Sequence, residues 1–109
     1  MKGKIVLIPF PYTDLTEAKL RPALVIFEGK RDLIVAYITS KMLNILPELD
    51  VLINLDNPEF YKTGLKVSSV LKLTKVSTVR KDLAEGMLGE LDGDLRYEVN
   101  QKLKRIFEI

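Results

Sequence analysis

Short apolar runs rich in β-branched residues recur through this chain, each cut off by proline, glycine or a polar cluster, and that punctuation predicts strands rather than helices. Ile5-Val6-Leu7-Ile8 is the first run, too short for a buried helix, bounded by Gly3 and Pro9 and expected to end near Phe10. Ala23-Leu24-Val25-Ile26-Phe27 is the second, entered through Arg21-Pro22, because a proline without a backbone donor is tolerated better at a strand's start than in its middle. Residues 28–32 then turn the chain into Leu33-Ile34-Val35-Ala36-Tyr37-Ile38, and so short a link predicts an antiparallel hairpin rather than a β-α-β unit. Val51-Leu52-Ile53-Asn54-Leu55 predicts a fourth strand, with Asp56-Asn57-Pro58 as its stop. Residues 64–73 and 75–79 predict two more.

Between these runs lie two irregular connections. Residues 11–19 form a polar stretch opened by Pro11, and residues 41–49 hold Met42, Leu43, Ile45 and Leu46 in a possible helical turn that Pro47 ends. Residues 83–91 are ambiguous, since Gly86 and Gly89 weaken any helix there. Only the C-terminal segment carries a sustained helical period. Leu95, Val99, Leu103, Ile106 and Phe107 stack on one face, Asp92 is placed to cap the first turn, Asp94 adds favourable charge there, and Lys102, Lys104 and Arg105 complement the opposite end. The expected architecture is mainly β: a small, curled antiparallel barrel with a C-terminal helix, occupying residues 1–109 as one domain.

Composition narrows the chemistry. Hydrophobic residues make up 47% and charged residues 29% of the 109, the balance of a globule rather than a disordered segment. With no cysteine there is no disulfide framework and no thiol nucleophile, and a reducing, cytoplasmic setting is expected. With no histidine, the usual acid-base group near neutrality and the commonest transition-metal ligand are both missing. Seventeen lysines and arginines against 15 acids give a net charge of +2, compatible with nucleic acid but not diagnostic of it. No glycine pattern forms a phosphate loop, the N-terminal apolar run is too short for a signal peptide, and no stretch is apolar enough to span a membrane.

Gly3-Lys4-Ile5-Val6-Leu7, Lys19-Leu20-Arg21-Pro22-Ala23-Leu24-Val25-Ile26 and Tyr37-Ile38-Thr39-Ser40, in this order and spacing, resemble the MazF/PemK (Kid) toxin family. Gly64-Leu65 with Ser69, and Gly89-Glu90-Leu91 before the last helix, look like further family landmarks. The resemblance covers nearly the whole chain, strongest from Gly3 to Ser40 and thinnest between Asn44 and Tyr61. It implies a curled SH3-like barrel of the MazF/PemK/CcdB type with a C-terminal helix, and a homodimer whose interface carries an RNA groove. It also implies a sequence-specific endoribonuclease that cleaves single-stranded RNA without a metal or other cofactor, leaving a 2',3'-cyclic phosphate and a 5'-hydroxyl. A separate antitoxin would hold it inactive by laying its C-terminal segment in that groove.

Carried over residue by residue, the family's essential arginine falls on Arg21 and its catalytic threonine or serine on Thr39. The acidic residue of the first connecting loop falls on Glu17, with Thr16 beside it, and Ser40 takes the small-residue position after the threonine. Lys19, Lys41 and Lys66 are candidate phosphate contacts, and Tyr12 is the better base-stacking candidate, Phe10 being better read as core. Some family members have been assigned a histidine in acid-base work, and this chain has none.

The chemistry stands beside the resemblance on its own terms. Attack by an RNA 2'-hydroxyl needs an acceptor for its proton, a donor to the leaving 5'-oxygen and positive charge facing the phosphoryl oxygens. Arginine's planar fork suits the last role and makes it a poor proton donor. Threonine orients or relays but is a weak base unassisted, which leaves Glu17 as the candidate base.

Plain structural readings compete throughout. Arg21 also reads as a solvated cation or half of an ion pair, Thr39 as a β-favouring strand end, Glu17 as a solvent-facing loop acid, and Ser40 as a turn residue. Lys30 and Arg31 read as a hairpin tip, and Lys102, Lys104 and Arg105 as the wet face of a helix. At the level of function the alternative is a non-catalytic barrel that inhibits or regulates a protein target, as related barrels do with DNA gyrase.

Overall fold

The computed structural model describes residues 1–10 and 19–109, Phe10 by its backbone alone. Strands β1 (Lys4–Phe10), β2 (Lys19–Glu28), β3 (Asp32–Thr39), β4 (Asp50–Ile53), β5 (Ser69–Arg80) and β6 (Gly86–Glu90) form one sheet in the order β4-β5-β3-β2-β1-β6, with every neighbouring pair antiparallel. A single-turn helix, α1 (Phe60–Thr63), links β4 to β5, and α2 (Gly93–Phe107) follows β6. The result is a curled half-barrel backed by a C-terminal helix, as the alternation of strand runs and one late helical period predicts.

The apolar runs read as continuous because both faces of the central strands are covered. Period-two alternation sends Val6, Ile8, Ala23, Val25, Leu33 and Val35 to one face. On the other, Ile5, Leu24, Ala36 and Ile38 meet Leu95 and Val99 of α2. The helix docks chiefly by its N-terminal half: Leu95 and Val99 are buried, Leu103 and Ile106 are half-buried, and Phe107 is 54% exposed. The expected five-residue buried stripe is therefore shorter than its periodicity suggests, since an open cleft separates Leu103 and Phe107 from Phe27 and Val76 of the sheet. Leu95→Ala should cost about 2–5 kcal/mol in denaturant unfolding, and more than the same change at half-buried Leu103.

Several local expectations are revised. Pro22 lies inside β2, opposite Leu7, and not before the strand. The Leu7 carbonyl accepts from the Glu85 amide at 2.9 Å, so Leu7 turns its polar groups toward β6 and shares no hydrogen bonds with Pro22. The Pro22 nitrogen thus points toward β3, where pairing has already ended at Ala23↔Tyr37, and no ladder bond is lost. The two strands expected across residues 64–79 are one, β5, with a bulge in place of the break. Residues 83–91 contain β6, residues 41–46 form no helical turn, the one hydrogen-bonded turn of that loop being at residues 47–49, past the expected stop at Pro47, and α1 stands where no helix was expected.

Two glycines let α1 pack closely against β6. Gly64 ends α1 at φ +73°, and a Cβ there would lie 2.1 Å from the Leu88 carbonyl oxygen. A Cβ on Gly89 would lie 2.2 Å from the Lys62 carbonyl oxygen. Lys62 also ties α1 to the start of α2, reaching Asp92 at 2.7 Å and Glu59 at 3.1 Å. The Asp92 carboxylate, held below its usual pKa by Lys62 and then by the Gly93 amide, caps α2 by accepting from that amide at 2.8 Å.

Glu28 likewise joins the Lys81 ammonium at 2.8 Å and the Met1 α-ammonium. The hydrogen bond from Lys81, then that from the α-amine, lowers its pKa to about 2. A carboxylate whose folded pKa lies below its unfolded value favours the native state at neutral pH, and this contribution fades as pH falls through the ordinary glutamate range toward about 2. Glu28→Gln should flatten that part of the stability profile, read as melting temperature from pH 6 down to pH 2.5 (roughly the titration range of carboxylates).

Candidate functional site

The open ends of the two central strands carry the polar residues that the fold leaves beside its core. Along β2 and β3 the register runs Leu24↔Ala36 and Ala23↔Tyr37. Arg21 and Thr39 each lie two residues beyond the last of these pairs, at neighbouring ends of β2 and β3. Both are half-buried, and side-chain alternation puts them on the face of Ala23, Val25 and Val35, with Tyr37 packed against that same cluster. Arg21 is fixed from its other side by pairing with Ile8 of β1, and Thr39 by pairing with Val70 of β5. The Arg21 Nε is shielded from solvent, so part of the guanidinium lies in a low-dielectric setting that strengthens its field.

Thr39 has a defined hydrogen-bond state. Its Oγ1 accepts from the Lys41 amide at 3.1 Å, which uses one lone pair and leaves the O–H free to donate outward. That suits Thr39 to donating a hydrogen bond rather than accepting a proton.

Beside Thr39 opens a cleft of about 560 Å³, walled by Tyr37, Thr39 and Lys41, by Leu43 and Asn44 of the following loop, and by Lys72, Thr74 and Lys75 of β5. The register between β3 and β5 jumps from Ala36↔Val76 to Tyr37↔Lys72. The extra residues 73–75 bulge, burying Leu73 and turning Thr74 and Lys75 to the cleft. Lys72 pairs with buried Asp50 at 2.8 Å, whereas Lys41 and Lys75 are exposed and give the rim its positive charge.

Of the residues singled out from sequence, Thr39 and Lys41 share this cleft, and Arg21 stands on the adjacent strand. Lys19 is exposed at the start of β2, and Ser40 is exposed just past Thr39, outside the cleft wall. Lys66 is exposed between α1 and β5, also away from that wall. Tyr12, Thr16 and Glu17 lie outside the described residues, as does the side chain of Phe10. Lys102 is not a freely solvated helix cation: its Nζ donates to the Asp50 carbonyl at 2.7 Å and to Glu98 at 2.7 Å. Sequence reasoning missed Lys72, Lys75 and Asp50. The one signal was Lys72 as a lone charge between Leu71 and Leu73. Among the described residues no group of three or more acidic side chains is placed to hold a metal ion, and no helix is long and apolar enough to cross a membrane.

Fold and site together define a small curled antiparallel half-barrel with a polar, cation-rimmed cleft at the open ends of its central strands. The chain belongs to the PemK-like, MazF-like toxin family of type II toxin-antitoxin systems, whose family model matches residues 1–107. Solved structures of the same shape include an endoribonuclease in complex with its cognate antitoxin from a mycobacterial species, 15% identical over 96% of this chain and 91% of that one, with a TM-score of 0.72. The Mycobacterium tuberculosis toxin MazF-mt6 is 17% identical over 97% of each chain, TM-score 0.70. MazF from Deinococcus radiodurans is 21% identical over 99% of this chain and 96% of that one, TM-score 0.68. At such identities the likeness is one of fold. Comparison with curated proteins finds no significant match.

Proposed function

We propose that this toxin is an endoribonuclease that cuts single-stranded RNA at short specific sequences by attack of a 2'-hydroxyl on the adjacent phosphorus. The observation that carries the reading is that Arg21 and Thr39 lie at neighbouring ends of the adjacent central strands and on the same face, with Thr39 lining a cleft rimmed by Lys41 and Lys75. In the step itself the 2'-oxygen bonds to phosphorus and the bond to the 5'-oxygen breaks. The ends are a 2',3'-cyclic phosphate and a 5'-hydroxyl, the leaving oxygen taking its proton from water. Arg21 stabilises charge on the phosphoryl oxygens through two parallel N–H donors, and the Thr39 O–H supplies a third. Glu17 of the first connecting loop is the proposed acceptor for the 2'-proton. Lys41 and Lys75 hold flanking phosphates, and no metal enters the step.

Two partners complete the proposal. An antitoxin shuts the enzyme off by laying its C-terminal segment in the cleft, and a second copy of the chain forms a homodimer. Phe27, Val76 and Phe107, exposed around a second cleft of about 540 Å³, supply apolar surface for such contacts. Purified, antitoxin-free protein incubated in EDTA with a long unstructured RNA should yield discrete fragments ending in cyclic phosphate. RNA that stays intact across varied sequences rules the activity out.

A further inference from the structure

We infer that Asp50 and Lys72 are positioning residues for sequence selection: an ion pair at the base of the cleft that holds the loop of residues 41–49 in the shape that admits only certain bases. The inference rests on the endoribonuclease reading for its consequence, and on the hydrogen bonds below for the clamp itself.

Residues 41–48 are exposed and contain no helix or strand, so the loop has little packing of its own to define its shape. The Lys41 amide is held at the loop's start by Thr39 Oγ1, and the Leu49 amide donates to the Leu46 carbonyl at its end. The bonds across its middle converge on two side chains. Asp50 Oδ2 accepts from Lys72 Nζ at 2.8 Å and from the Leu46 amide at 2.8 Å. Lys72 Nζ donates a second bond, at 3.2 Å, to the carbonyl of Asn44, a residue in the left-handed region at φ +55°. The backbone of Asp50 closes the loop from below, its amide donating to the Leu46 carbonyl at 2.8 Å and its carbonyl receiving Lys102 of α2.

Burial makes this arrangement demanding. The Asp50 side chain is 3% exposed and that of Lys72 15%, and the two face each other across the β4–β5 ladder. Taking away either partner strands a charge in a poorly solvated place, and the loop residues bound to it must move. Those residues bring Leu43, Asn44 and Leu46 to the cleft beside Thr39, where bases of a bound strand would lie. The pair sits on β4 and β5 and Arg21 on β2, so its effect falls on the fit of the RNA before it falls on the chemistry.

Hydrogen exchange on the full chain tests the clamp without RNA. In Lys72→Met the Leu46 amide should lose protection by about tenfold or more, while amides of β2 and β3 keep theirs. Cleavage of a randomised RNA pool tests the consequence. Lys72→Met should broaden the preferred sequence by about tenfold at one or more positions, with KM raised by more than kcat falls, and Lys72→Arg should restore selectivity. Unchanged exchange at Leu46, or an unchanged cleavage spectrum in a folded variant, overturns the inference. If Lys72→Met fails to fold, Asp50→Asn combined with Lys72→Met leaves no unpaired charge and is read by the same two measurements. Intact RNA with the wild type would instead refute the endoribonuclease reading and the selection step with it, and exchange would still decide the clamp.

Discussion

Replacing Arg21 with alanine should lower RNA cleavage by about 10²–10³ in kcat, the usual cost of removing a donor aimed at charge that develops in the transition state. The position explains the size of the effect. Arg21 is half-buried, its Nε is screened from water, and β1 and β2 hold its backbone in register with Ile8. A fixed guanidinium in such a setting needs no reorganisation when the phosphoryl oxygens gain charge. Arg21→Lys keeps the charge but loses the planar fork, so it should recover only a minor part of the rate. Single-turnover cleavage of one defined RNA, with circular dichroism confirming the fold, measures both. An alanine variant that cuts at the wild-type rate would remove Arg21 from the mechanism. The same assay on Glu17→Gln asks whether the acid in the first connecting loop serves as the base in a chain that has no histidine.

The second large effect is on folding. Gly89→Ala should cost about 3 kcal/mol or more in denaturant unfolding, near the upper end for a single overpacking change. The added methyl would meet the Lys62 carbonyl oxygen at 2.2 Å and the Thr63 carbonyl oxygen at 2.6 Å. Both are backbone atoms, so no side chain can rotate away, and α1 would have to lift off β6. Gly64→Ala strikes the same contact from the α1 side, where the positive φ adds roughly 1–2 kcal/mol of backbone strain. Gly86 is the control in the same strand. A methyl there would meet only Leu7 Cδ1, at 4.0 Å, and Gly86→Ala should be close to neutral. Similar losses at Gly86 and Gly89 would mean that strand propensity, and not the α1–β6 approach, sets the cost.

Much of this fold and part of its candidate site can be read from local order in the chain. The runs beginning at Ile5, Ala23 and Leu33 declare themselves as strands because β-branched residues bounded by breakers have few other ways to be buried. The hairpin follows from the short link between residues 28 and 32, and α2 from a period that any helix of that sequence would present. Arg21 and Thr39 stand out for the same local reason, as polar residues at the ends of apolar runs. Tertiary structure decided what depends on partners distant in sequence. It merged residues 69–80 into one bulged strand, because β3 pairs with both halves. It made Gly89 a contact point, because Lys62 and Thr63 arrive there. It left Phe107 exposed, because a cleft opens between the last turn of α2 and Phe27 and Val76 of the sheet. It brought Lys72 against Asp50, because they face each other across one ladder. Periodicity along a chain fixes which side of a strand or helix is apolar. Register between strands fixes which side chains meet, and that is set by the summed packing of the whole sheet.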